Sequence, residues 1–157
     1  MEAYAPASAA THTTIRVRST RPTEFVDITD QVDDLVTASG IQTGIVNIQS
    51  LHTTSSIVVN EHEPLLLSDF ATLLGRAAPF RAFYRHDDAT VRTVNLMPDE
   101  RANGHSHCRA LLLGAAASLN VVEGRVRLGR WQRIFLVDLD GPREREVSLV
   151  VTGERAQ

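Results

Sequence analysis

The stretch Asp99–Gly114, DERANGHSHCRALLLG, places two histidines and the chain's only cysteine within four positions, directly behind an Asn-Gly turn. Gly104 can take positive φ at little cost, which marks the turn. Cys108–Leu113 has a good helix composition with almost no polar break, so it is expected to be a buried helix. A polar, imidazole-bearing turn that feeds a buried segment can hold reactive side chains still. The alternative is a helix start with two solvated histidines.

Six histidines occur, at 12, 52, 62, 86, 105 and 107. His52, His86 and the pair His105/His107 sit in polar, turn-like surroundings that border apolar segments. Three such imidazoles can hold a divalent metal, Zn²⁺ or a similar ion, in an open site with room for water or substrate. On a strand, His-x-His would turn both rings to one face. On a helix, two residues span about 200°, so one ring alone could face the site. Because Cys108–Leu113 reads as helix, His107 is the favoured ligand of the pair, with His105 in reserve. His12 and His62 lie on an alternating solvent face and at a helix entrance, and are expected to be dispensable.

Other chemistry finds less support. Cys108 abuts an apolar run and reads as a core residue, since free Cys is commonly buried. The chain has no HExxH, no paired CxxC, no P-loop and no dinucleotide fingerprint. Arg101, Arg130, Arg133 and Arg143 could grip phosphate through their planar forks, and each also reads as a solvated charge. Arg143 stands out because Gly141-Pro142 fixes the turn that presents it.

These residues need elements to position them. Residues 1–10 form a loose tail rich in Ala, Pro and Ser, and residues 11–157 form one domain. Thr13, Ile15 and Val17 alternate with polar neighbours as a half-buried strand. Asp30–Ser39 reads as an amphipathic helix capped by Thr29 or Asp30, with Gly40 at its exit. Ile45–Leu51 and Ser55–Val59 look like buried strand, interrupted by His52-Thr53-Thr54. Polar side chains there need partners, because an unpaired buried polar group costs about 1–3 kcal/mol. A satisfied structural cluster or a site would explain them equally.

Pro64–Gly75 is a second helix with proline in its first turn. Residues 76–95 form a long irregular segment, a length often tied to function. Glu123-Gly124 marks a tight hairpin. Ile134–Leu139 is a strongly apolar strand ending in Asp138, Asp140 and the Gly141-Pro142-Arg143 turn, and Val147, Leu149 and Val151 alternate in a last strand. Strands mixed with two or three helices, without βαβ alternation, indicate an α+β domain.

The 16 basic and 19 acidic side chains give a net charge of -3, with no footprint of a nucleic-acid binder. No apolar run approaches the roughly 18 residues that span a membrane. One cysteine forms no internal disulfide, and the first residues lack a secretory signal pattern, so the expected location is cytoplasmic.

Three runs, LHTTSSIVVNE, NGHSHCRALLLG and LGRWQRIFLVDLDGPRER, together resemble the YjbQ-like family, also called the secondary thiamine-phosphate synthase family. The resemblance extends from about Arg16 to Val151. It implies a single α+β domain with a curved, mostly antiparallel sheet and packed helices, assembled as a homotrimer with sites near the subunit contacts. The activity it implies joins a pyrimidine diphosphate to a thiazole phosphate, releasing pyrophosphate and giving thiamine phosphate. Carried across by motif, it implies His52, His86 and His107 as ligands of a divalent metal, Zn²⁺ or Mg²⁺. Thr53, Thr54, Asn103 and Gln132 take catalytic places, and Arg143 holds the phosphorylated substrate. His105 departs from the family pattern, and residues 87–100 are longer than in shorter members. The same residues would serve a metal-dependent phosphoester hydrolase, or a non-catalytic trimeric module that binds a metal or anion.

Overall fold

A computed structural model describes residues 8–155. Strands β1 (Ser8–Arg18) and β2 (Glu24–Asp27) lead to helix α1 (Thr29–Ser39), followed by β3 (Ile41–Ser50) and β4 (Ser55–Glu61). Helix α2 (Pro64–Ala77), an irregular stretch holding a 3₁₀ turn at Arg85–Asp87, and α3 (Gly104–Leu113) come next. The chain closes with β5 (Ala116–Val122), β6 (Arg125–Val126), β7 (Gln132–Asp138) and β8 (Glu144–Arg155). The expected tail therefore ends early: Ser8–Ala10 already pair with Thr152–Glu154 in the β1–β8 ladder. The rest of the expected tail, residues 1–7, lies outside the described residues.

The strands form two antiparallel sheets, ordered β1-β8-β3-β5-β6 and β2-β7-β4. Their facing sides share one core: Val46 and Ile48 of β3 and Val147 and Leu149 of β8 meet Ile57 of β4 and Ile134 and Leu136 of β7. Val32 and Val36 of α1 join the same core. The other face of the smaller sheet carries Phe135, Val137 and Leu139, which pack with Leu74 of α2 and Ala110 and Leu113 of α3. β7 is thus covered on both faces. That explains why Ile134–Val137 is a continuous apolar run while β1 alternates. The result is the expected α+β domain.

Local chemistry sets the boundaries. Ile28 occupies the N-cap position of α1 and no side chain caps the helix, so neither Thr29 nor Asp30 does so; Thr29 instead donates its amide and hydroxyl to Asp27 Oδ1 at 3.0 and 2.6 Å. Gly40 ends α1 with φ 71, as a left-handed helix exit requires. Glu63 caps α2 through Leu65 and Leu66 amides, and α2 runs past Gly75 to Ala77.

Helix α3 departs most from expectation. Leu111 and Leu112 are 84% and 64% exposed, and Cys108 is exposed, so the apolar run is not buried and Cys108 is not a core residue. α3 lies against one face of the small sheet only, and turns Ser106, Ala110 and Leu113 inward. Gly104 is not a positive-φ turn residue either: it opens α3, and a Cβ there would strike the Tyr84 ring.

Candidate functional site

Two chain crossings between the sheets meet at the Asp138 end of β7. His52-Thr53-Thr54 is the corner at which the chain leaves β3 in the large sheet for β4 in the small one. Asp140–Arg143 is the return path from β7 to β8. The polar interruption in the apolar sequence is therefore a change of sheet rather than a break in one strand. The first turn of α3 closes the third side. Together these segments enclose a cleft of about 480 Å³, lined by His52, Thr53, Thr54, Asn103, His107 and Arg143 among others.

Beneath the cleft lies a charged pair that is almost wholly buried. Arg145 Nη2 donates to Asp138 Oδ1 at 2.6 Å, with the two side chains 3% and 0% exposed. Arg145 also donates to Thr54 Oγ1 at 3.0 Å, and Ser19 donates to Asp138 Oδ2 at 2.5 Å. Burial alone would raise the Asp138 pKa; the hydrogen bonds from Arg145, Ser19 and the Asp140 amide outweigh it and hold the carboxyl low. Such a pair does little for net stability, yet removing one partner strands a buried charge. Its visible effect is to fix Thr54 and Asp140 on the cleft wall.

Asp140 gathers the rim. Its carboxylate accepts from Asn103 Nδ2 at 3.1 Å and from Arg143 Nη2 at 2.8 Å. Arg143 thus staples its own turn, while its side chain stays about two-fifths exposed. Asn103 Oδ1 and Arg145 Nε are buried with no hydrogen-bond partner among the described residues, and both side chains line the cleft.

The histidines divide. His52 Nε2 accepts the Glu146 amide at 2.9 Å, so its lone pair is used and the proton sits on Nδ1. Burial, aided by nearby Arg145, depresses its pKa and keeps the ring neutral. His107 lines the cleft, and its pKa is likewise depressed, by burial first and then by His86. His86 lies against His107 with ring centroids 4.5 Å apart and the rings tilted by 47°, but faces a smaller adjoining cavity of about 230 Å³. His105 points the other way, edge-on to Phe80 at 4.8 Å, as helical spacing demands. His62 binds Asp27 at 2.9 Å at the far end of the sheet, so it is a structural contact rather than a bystander.

A metal ligand must offer a lone pair. His52 Nε2 has already given its own to the Glu146 amide, and its Nδ1 carries the proton. The arrangement of His52, His86 and His107 therefore does not fit a pre-formed three-histidine centre. His52 is set instead to donate a hydrogen bond.

Gln132 is not brought to the cleft. It opens β7 at the opposite end, pairs across with Glu61, and accepts the Gly129 amide at 2.8 Å. Conversely, Ser19 belongs to no motif, Arg145 is only the last residue of its run, and Asp138 stands out in the sequence only as the end of the apolar strand. The available signal was a pair of acidic residues closing the most apolar strand of the chain, where each needs a buried partner.

The family model described as UPF0047 protein YjbQ-like matches residues 13–154. The chain belongs to the YjbQ-like family. A UPF0047 protein of Methanothermobacter thermautotrophicus is 40% identical over 138 residues, 88% of this chain and 89% of that one. Bacillus subtilis UPF0047 protein YugU is 28% identical over 141 residues, 89% of this chain and 98% of that one. Among solved structures, a YbjQ-like protein of unknown function from Sulfolobus solfataricus superposes with a TM-score of 0.83 at 40% identity, covering 94% of this chain and all of that one. A hypothetical protein from Aeropyrum pernix gives 0.81 at 30% identity, with 92% and 99% covered. This YjbQ-like chain thus shares its fold with these two solved structures. No helix among its described residues is long and apolar enough to cross a membrane.

Proposed function

We propose that the cleft binds a phosphorylated substrate and catalyses a transfer that displaces pyrophosphate. The finer reading is the one the sequence resemblance implies, the joining of a pyrimidine diphosphate to a thiazole phosphate. The observation that carries it is the convergence of a guanidinium rim, Arg101 and Arg143, with the neutral rings of His52 and His107 in one cleft. Breaking the carbon–oxygen bond to a diphosphate leaves charge on the departing oxygens. Fixed donors aimed at that charge lower the barrier. The exposed part of Arg143 and the Nδ1–H of His52 supply such donors. The attacking thiazole nitrogen has no proton to lose, so His107, held neutral, serves as a hydrogen-bond partner in the cleft, beside Asn103 and the Thr53 hydroxyl. No step is assigned to a metal, because His52 is committed elsewhere.

The test is pyrophosphate release from a mixture of the two substrates. Release that needs both, and that falls sharply in Arg143→Ala, supports the transfer. Release from the diphosphate alone points to a hydrolase. No release above the Arg143→Ala level removes the catalytic reading and leaves an anion-binding module.

The same reading includes a homotrimer. Exposed Leu111 lines a shallow groove with His52, Thr53 and His107, so an apolar contact patch adjoins the cleft. Light scattering at micromolar concentration should return three times the monomer mass; a monomer at all concentrations would remove the assembly.

A further inference from the structure

We propose that Asp140 is the positioning residue of a two-arginine clamp that selects a diphosphate over a single phosphate. This rests on the reading of the cleft as a site for a phosphorylated substrate, and adds which residues tell a diphosphate from a single phosphate and how.

Arg101 and Arg143 come from different segments, one preceding α3 and the other following β7, yet both are held by Asp140. Arg101 Nη2 donates to the Asp140 carbonyl oxygen at 2.9 Å, and Arg143 Nε donates to the same oxygen at 3.1 Å. The carboxylate repeats the arrangement: Oδ2 takes Arg143 Nη2 at 2.8 Å, and Oδ1 lies 3.7 Å from Arg101 Nη2. Two cations that would otherwise repel are thus drawn together by one anion. Asp140 is itself anchored, because its amide donates to the buried Asp138 carboxylate at 3.0 Å. Asn103 Nδ2 braces Oδ2 from the α3 side at 3.1 Å.

The geometry leaves work for a ligand. Arg101 and Arg143 keep 49% and 41% of their side chains exposed, against 8% for Asp140. The shared residue is buried, while both arginines line the cleft with nearly half of each side chain exposed. One guanidinium fork matches one phosphoryl group through two parallel bonds. Two forks fixed side by side match two phosphoryl groups joined by an oxygen. A single phosphate satisfies one fork and leaves the other unused. The carboxylate also offsets part of the rim's positive charge, which weakens attraction to small anions in general and leaves discrimination to geometry.

Calorimetric titration of the full chain with inorganic pyrophosphate and with orthophosphate, at matched ionic strength, tests the clamp. The wild type should bind pyrophosphate about tenfold more tightly. Arg101→Ala should keep orthophosphate binding and lose the preference. Asp140→Asn removes the charge that gathers the pair, and should bring the two affinities to within about twofold. A merely structural Asp140 would lower the melting temperature and leave the ratio intact, and that result would overturn the proposal. If Asp140→Asn does not fold, Arg101→Lys at an exposed side chain decides the matter: it keeps charge but loses the fork, so an unchanged ratio overturns the clamp. Equal affinity for both anions in the wild type sinks the clamp but spares the phosphate site. Binding of neither anion sinks both.

Discussion

At the Gln132 end of β7, Asp27, Asp30, Arg133 and His62 form a cluster; at the Asp138 end, Asp138, Asp140, Arg143, Arg145 and His52 form another. The residue types are the same, but what is left over differs. Asp27 accepts from Arg133 at 2.8 Å, from His62 at 2.9 Å and from Thr29, and Arg133 also reaches Asp30 at 3.0 Å. Burial pushes the Asp27 carboxyl up, and the bonds from Arg133 and Thr29 outweigh it and hold the group far below the carboxylate range. That cluster ties β2, α1 and β7 together. At the cleft end the deepest charges are paired just as well, but Asn103 Oδ1 and Arg145 Nε are not, and the Arg101 and Arg143 forks are half free. A site is marked by bonding capacity that the protein itself does not use.

The largest effect that sharpens this contrast is on stability. Asp138→Ala strands the buried Arg145 cation and should cost about 3–5 kcal/mol. Asp27→Ala should cost about 1–2 kcal/mol, the scale of a lost helix-start bond together with a half-buried ion pair whose Arg133 remains open to solvent. Urea denaturation of both variants measures the difference. Equal losses would mean that the two clusters are energetically alike.

A smaller effect separates the ends by pH. His52, His105 and His107 all have pKa values depressed below the ordinary 6.5, with burial the leading cause. The folded chain therefore binds fewer protons than the unfolded one, so the stability is present above that value and lost as pH falls through it. Asp27 is also depressed, but from the carboxylate range, so its contribution is lost only in stronger acid. The melting temperature should decline between about pH 7 and pH 5, and His107→Gln should flatten that decline. A flat profile over this range would place no neutral buried histidine at the cleft.

Much of the framework was legible because it rests on local patterns. Alternation gave β1 and β8, Gly40 gave the exit of α1, and Glu123-Gly124 gave the hairpin, with both residues at positive φ. Helical spacing separated His107 from His105. Burial of α3 was misjudged because an apolar run says what a segment can bury, not what lies opposite it. Gln132 lies away from the cleft because nearness in a motif is not nearness in space: on an extended strand, the seven residues Gln132–Asp138 span about 20 Å. The Asp138–Arg145 pair was missed for the opposite reason. Seven positions separate its members, but a turn between two sheets folds one back onto the other.

The crossings between sheets also set when the cleft can exist. Ser19 meets Asp138 across 119 positions, His52 meets Glu146 across 94, and Arg145 meets Thr54 across 91. Each contact joins early chain to late chain, and closing such long loops is what slows a β-rich domain. On the ribosome, β1, β3 and β4 must wait for β7 and β8 to emerge before any wall of the cleft has its backing. No partly made chain can hold the arginine rim in place, so anion binding arrives with the last ladder and reports completed folding rather than a step towards it.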